Sequence, residues 1–167
     1  MSPTVQDVLD LLDADHQALL RLFQEYRVLA AHQAPEARRK ALAEQICLEL
    51  TIHAKLEEEL FYPPVREAIR AADLMDRAEV EHASVRDLVA QILSMDPHED
   101  LYDAKVAVLG DYAGHHFQEE FEAVFPRVRA SGVDLQLLGS RLAWRRRELQ
   151  AVPEALREEL LASVLAA

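Results

Sequence analysis

The chain has 167 residues, half of them apolar, and a formal net charge of −12. That is enough for one domain with a sizeable core, while 4 Gly and 7 Pro leave too few turn residues for an all-β fold. The acidic balance would repel nucleic acid and anionic lipid, which sets both aside as principal partners.

The lone cysteine, Cys47, has no internal disulfide partner and reads as a packing residue between Ile46 and Leu48. The N-terminus carries no basic and apolar leader pattern and no window approaches a membrane span, so a cytoplasmic location without membrane attachment is expected.

Thr4 followed by Asp7 resembles a capping box with Asp in place of Glu. Val8, Leu12, His16, Leu19, Leu20 and Phe23 then recur at helical spacing and predict a first helix from about Val5 to Ala31. After Ala34-Pro35-Glu36, a second stripe runs through Leu42, Ile46, Leu50, His53, Glu57 and Leu60. Pro63 and Pro64 are expected to end or sharply kink that helix, with Val65 to Ala72 as a short continuation.

The third helix starts near Asp73, carries Met75, Ala78, His82, Val85, Leu88, Val89 and Ile92, and stops at Met95-Asp96-Pro97. A fourth follows from about Asp100 with Leu101, Val108, Leu109, Tyr112, His116, Glu120 and Val124, and Pro126 lies near its end. Gly114 inside it costs about 1 kcal/mol relative to Ala, which predicts a close helix contact or a bulky neighbour at that level. Ser131-Gly132-Val133-Asp134 is a stop followed by a new N-cap. Beyond it lie Leu135, Leu138, Leu142, the basic run Arg145-Arg146-Arg147, Pro153, and an amphipathic tail with Leu156, Leu160, Leu161, Val164 and Leu165. The expected architecture is all-α: an antiparallel up-and-down four-helix bundle over residues 1–132 and a helical extension over 133–167, packing on the bundle or on a partner.

Each long helix places one histidine on its apolar stripe: His16, His53, His82 and His116. His53 with Glu57, and His116 with Glu120, stand four positions apart, a separation of about 40° around a helix and about 6 Å along it, so each pair aims one nitrogen and one oxygen the same way. A single inward histidine is ordinarily a hydrogen-bonded core residue. Four of them with two carboxylates cost several kcal/mol per uncompensated carboxylate, against the roughly 5–15 kcal/mol by which a domain is stable. Two cations resolve the conflict, and nitrogen and oxygen donors without a thiolate favour iron or manganese, with zinc possible. Glu57 and Glu120 are expected to bridge. Asp15, Glu79, Glu81, Glu119 or backbone carbonyls are candidate acceptors for the outer ring nitrogens.

The same helical phase prefers His116 to His115, Glu120 to Glu119 and Glu57 to Glu58 as the inward residue. Tyr112, one turn before His116, either reaches the metals as a phenolate or proton donor or forms an aromatic layer over them. His32 and His98 fall in expected loops and read as surface residues. The arginine run reads as an exposed face meeting the acidic bundle. No internal repeat is apparent beyond His-x-x-x-Glu.

Leu12-Asp13-Ala14-Asp15-His16, Ile52-His53 through Glu57 to Pro63, Glu79-Val80-Glu81-His82, and His115-His116 through Glu120 to Pro126 together resemble the hemerythrin-like, or HHE cation-binding, family. The similarity spans about Val5 to Arg129. The resemblance implies a di-iron centre in a four-helix bundle, ligated by His16, His53, Glu57, His82, His116 and Glu120, and acting on O2, NO or peroxide. The family's oxygen carriers place a further histidine at the position held here by Ala78, which leaves one coordination position open or passes it to another group. Peroxide breakdown and non-catalytic sensing or storage of iron or oxygen are the two functions it suggests, the latter through partner contacts or a homodimer formed by the C-terminal helices.

Overall fold

Asp7 opens the first helix: its carboxylate accepts hydrogen bonds from the backbone N–H groups of Leu9 at 2.9 Å and Asp10 at 3.0 Å, two of the donors that a helix start leaves free. The computed structural model describes residues 6–166, with the side chains of Val164 and Leu165 outside the description, so the cap expected at Thr4 and the start at Val5 lie outside the described residues. From Asp7 the chain forms α1 (Val8–Ala31), α2 (Glu36–Leu56), α3 (Tyr62–Ile69), α4 (Ala72–Leu93), α5 (Tyr102–Glu119), α6 (Phe125–Ala130), α7 (Leu135–Gln150) and α8 (Pro153–Leu165). Two π-helical segments, Glu57–Phe61 and Glu120–Val124, join α2 to α3 and α5 to α6. No strand occurs among the described residues.

Pro63 and Pro64 therefore do not end the second helix. A proline lacks an N–H and its ring crowds the carbonyl four residues back. The chain absorbs this by widening one turn: the N–H of Tyr62 reaches the carbonyl of Glu57, and the N–H of Phe125 reaches that of Glu120, each five residues back. The helix then resumes with its prolines in the first turn of α3 and α6.

α1 packs on α2 and α5, and α4 on α2 and α5. Along this bundle the apolar core is divided in two. One cluster gathers Leu19, Phe23, Ile46, Val89 and Leu109, and the other Leu12, Leu56, Phe61, Met75 and Val128. The histidines and glutamates of the layer fall where each helix passes from one cluster to the other. The fourth-helix stripe is rotated from the expected one: Leu101, Val108 and Tyr112 are exposed, and Tyr102, Val106, Ala113 and Phe117 are buried beside Leu109 and His116.

The close helix contact expected at Gly114 occurs one turn earlier. A Cβ on Gly110 would lie 2.9 Å from the Phe23 ring, whereas one on Gly114 would meet only Leu20 at 3.7 Å.

Gly132, at φ +80°, provides the turn before Asp134, whose carboxylate caps α7 by accepting from Leu137 N–H at 2.9 Å. α7 lies on α1 and α2, and α8 on α4 and α2. Leu138, Leu142, Leu149 and Leu156 complete the second cluster and Leu160 joins the first. The extension thus shares the core of residues 6–132. Two of the run's arginines meet the acidic bundle as expected: Arg145 pairs with Glu59 at 2.7 Å and Arg146 with Asp15.

Gly110→Ala should therefore destabilise the chain by about 1–3 kcal/mol, because the Phe23 ring must move. Gly114→Ala should stabilise it by about 0.5–1 kcal/mol, the helix-propensity gain at an uncrowded site. Thermal melts of the two variants check the pair, and equal effects would contradict the packing described.

Candidate metal centre

The layer brings together all six residues expected to ligate metal. His16, His53, His82 and His116 are 1–5% exposed, and Glu57 and Glu120 are 0% and 1%. His16 comes from α1, His53 from α2, His82 from α4 and His116 from α5. Each glutamate opens a π segment one turn after its histidine, and the wide turn begins where the carboxylate must face the bundle axis.

The six form two halves. In the first, the Nε2 atoms of His16 and His53 lie 3.2 Å apart, Glu57 Oε1 is 3.0 Å from His53 Nε2, and Glu120 Oε2 is 3.2 Å from His16 Nε2. In the second, the Nε2 atoms of His82 and His116 lie 3.0 Å apart, Glu57 Oε2 is 3.1 Å from His82 Nε2, and Glu120 Oε1 is 3.5 Å from His116 Nε2. Each carboxylate thus divides its two oxygens between the halves.

Outer acceptors fix which nitrogen faces inward. Asp15 lies 3.2 Å from His53 Nδ1, Glu58 3.0 Å from His82 Nδ1 and Glu81 2.6 Å from His116 Nδ1. Proton-bearing Nδ1 atoms on these acceptors leave Nε2 lone pairs converging on each half, an arrangement that repels itself unless a cation stands between the nitrogens. Of the outer acceptors expected, Asp15 and Glu81 take the role, while Glu79 pairs with Arg66 and Glu119 with Arg77. Glu58 was not foreseen, because the phase that turns Glu57 inward had assigned its neighbour to solvent. His16 is held by aromatic stacking, with Phe117 at 4.1 Å and Phe125 at 5.8 Å between ring centroids.

Tyr112 does not reach the layer; it is 50% exposed. The rotated stripe of α5 turns it outward. Tyr62 stands in the place assigned to it. The Tyr62 hydroxyl donates to Glu120 Oε1 at 2.6 Å or to Glu57 Oε2 at 3.0 Å, and lies 3.0 Å from His82 Nε2 and 3.1 Å from His116 Nε2. Burial, reinforced by the charges of Glu120 and Glu57, pushes its phenol well above the usual range in the metal-free layer.

A signal for Tyr62 was present in the sequence. His53-x-x-x-Glu57-x-x-x-Phe61-Tyr62-Pro63 and His116-x-x-x-Glu120-x-x-x-Val124-Phe125-Pro126 are two copies of one pattern, longer than His-x-x-x-Glu, and both copies turn the residue before proline toward the layer.

The orphaned atoms test whether metal fits. Among the described residues, Glu57 Oε1 and Glu120 Oε2 are the buried side-chain oxygens without a hydrogen-bond partner, and both face the His16 half. A buried carboxylate oxygen left so costs on the order of 1–3 kcal/mol or more, and a cation satisfies both at once. His16, His53, Glu57 and Glu120 form one group with metal-ligand spacing, and Glu57, His82 and His116 another. A third, Glu81, His115 and Glu119, lies at the surface and already surrounds a guanidinium, Arg77 being 3.3 Å from each. His115 is exposed, as are His32 and His98, and no described helix is long and apolar enough to cross a membrane.

Comparison with known proteins bears on this geometry. A protein named DNA nickase, from Nostoc sp., is 28% identical over 123 residues, which cover 74% of this chain and 34% of that protein, so the chain spans about a third of its length. A crystal structure of a hemerythrin HHE cation binding domain-containing protein from Mycobacterium kansasii superimposes with a TM-score of 0.74 at 23% identity, over 95% of this chain and 99% of that one, and so shares the fold. The model of the hemerythrin HHE cation binding domain matches residues 7–128, most of the chain and every residue of the layer, and the chain belongs to that family.

Proposed function

We propose that this chain holds two iron ions between Glu57 and Glu120 and uses them to bind or react with a small oxygen or nitrogen species: O2, NO or peroxide. One observation carries the reading: two fully buried carboxylates each share their oxygens between two histidine pairs, and the oxygens left unpartnered face inward. His16 and His53 would hold one ion and His82 and His116 the other, with both glutamates common to them. Such a pair, when bound, supplies one-electron redox chemistry and a position for a small molecule. Four imidazole nitrogens and two carboxylates without thiolate suit iron or manganese, and membership of the hemerythrin HHE family favours iron.

The chain's own groups supply the rest. The second half is one donor short at Ala78, and Tyr62 Oη reaches that half as a ligand or a proton donor. A cation there would favour the phenolate that burial now opposes. Tyr62 also lines a cleft of about 540 Å³ with Glu58, Arg66, Met75, Glu79 and Arg86, which places open space beside its side chain. Phe117 and Phe125 stack on His16 on the opposite side. Peroxide is the reactant we favour for turnover, because its breakdown needs a proton delivered beside the metals and Tyr62 holds one. DNA nicking is named for a protein much longer than this chain, and a charge of −12, with Arg145 and Arg146 paired to acids, argues against a polyanionic substrate.

Protein purified without added metal should contain about two irons per chain, absorb visible light when oxidised, and lose both ions when Glu57 is replaced by Ala. One zinc per chain, or no metal, would overturn the reading. With iron retained, Tyr62→Phe should slow peroxide consumption at least tenfold, and Tyr112→Phe should leave it unchanged.

Metal removal should also expose the layer's titration. Burial disfavours each imidazolium, yet the facing carboxylates outweigh it and raise His16, His82 and His116 above 6.5 and His53 to about 10. Burial likewise opposes the charge of Glu57, and His53 and its neighbours hold it well below 4.5. Raised histidines stabilise the fold fully below 6.5 and lose that contribution as pH rises toward 10, while the lowered glutamate contributes above 4.5. The stripped chain should thus melt highest between pH 4.5 and 6.5 and at falling temperatures up to pH 10. The iron-loaded chain, whose ligands need unprotonated rings, should not show that decline.

A further inference from the structure

Three of the four layer histidines share one construction. Behind His53, His82 and His116 stand Asp15, Glu58 and Glu81, and on each of these acids rests an arginine: Arg146 on Asp15, Arg86 on Glu58 at 2.9 Å, and Arg77 on Glu81 at 3.3 Å. Arg77 and Arg86 belong to α4, inside the bundle. Arg146 belongs to α7, beyond residue 128 where the family match ends. It is also the most sheltered of the three, its side chain 25% exposed against 55% for Arg77 and 46% for Arg86, so solvent screens it least.

We infer that Arg146 is a positioning residue for the metal half formed by His16 and His53, which makes the C-terminal extension a working part of the centre. The inference rests on the di-iron reading above. Arg146 fixes the Asp15 carboxylate, and Asp15, which lies 3.2 Å from His53 Nδ1, holds the ring with its Nε2 lone pair turned inward. His16 stacks on Phe117 and Phe125 and has no outer acid of this kind, so in this half the acid–arginine relay runs through His53 alone. The other half has two such relays, His82–Glu58–Arg86 and His116–Glu81–Arg77. Loss of Arg146 therefore loosens one ion and not both. By linkage, filling the first half favours docking of α7, to the same degree that docked α7 favours filling.

Chelator-driven iron release from the full chain, followed by visible absorption and by iron per chain, separates this from a plain tether. In Arg146→Ala one iron should leave about ten- to a hundredfold faster, the usual effect of losing an outer partner, and the other at the wild-type rate. Arg146→Lys should recover much of the difference. Arg145→Ala removes a neighbouring contact of the same helix, the pair with Glu59, and should leave both rates unchanged. If Arg146→Ala does not fold, Asp15→Asn, of the same size, should give the same selective release. Wild-type release of both irons from Arg146→Ala, or equal acceleration of both in Arg146→Ala and Arg145→Ala, overturns the inference alone. A wild-type chain without an iron pair overturns it together with the di-iron reading.

Discussion

Two carboxylates with almost no access to water set the terms for this fold. Glu57 and Glu120 occupy the middle of the bundle, where an ionised group is stable only if opposite charge meets it from several sides. Their oxygens face four imidazoles, and two of those oxygens lie 3.0 and 3.2 Å from histidine Nε2 atoms without forming a well-aligned hydrogen bond. Around this demand the helices sort their side chains into layers: apolar contacts above, apolar contacts below, and between them the four histidines and two glutamates. The stability of the bundle thus depends on what fills that plane as much as on its hydrophobic halves.

The backbone is adapted to the same demand. Each glutamate begins a π turn, and each π turn answers a proline six residues downstream of it. The widened turn relieves the clash with the proline ring and lets the residue before the proline point at the layer instead of around the helix. In this way a feature that reads as a helix breaker becomes the device that delivers Tyr62 to the histidines, within 3.1 Å of two of them.

The fold class, the order of the long helices and the six polar positions of the layer were legible because they rest on a single period, and that period survives small errors of phase. Finer assignments did not survive them. At about 100° per residue, Tyr112 and Tyr102 flank the direction set by Leu109 and His116 by roughly 50° and 30° on opposite sides, so those two residues alone do not decide between them. Tyr62 was hidden by the expectation that Pro63 ends a helix, since a residue at a break has no definite direction. Glu58 was hidden by counting faces as inside or outside, whereas an outer acceptor stands at the boundary. The partner of Asp15 could not be read at all: 131 residues separate it from Arg146, and only the docking of α7 brings them together.

The two copies of the His-x-x-x-Glu pattern end differently, in Tyr62-Pro63 and in Phe125-Pro126. One copy therefore offers the layer a hydroxyl, and the other a bare ring that stacks on His16. An arrangement otherwise close to twofold is biased at its centre, with an oxygen-rich side and a greasy side. Two ions entering it would therefore meet different surroundings, a phenol beside one and stacked rings beside the other.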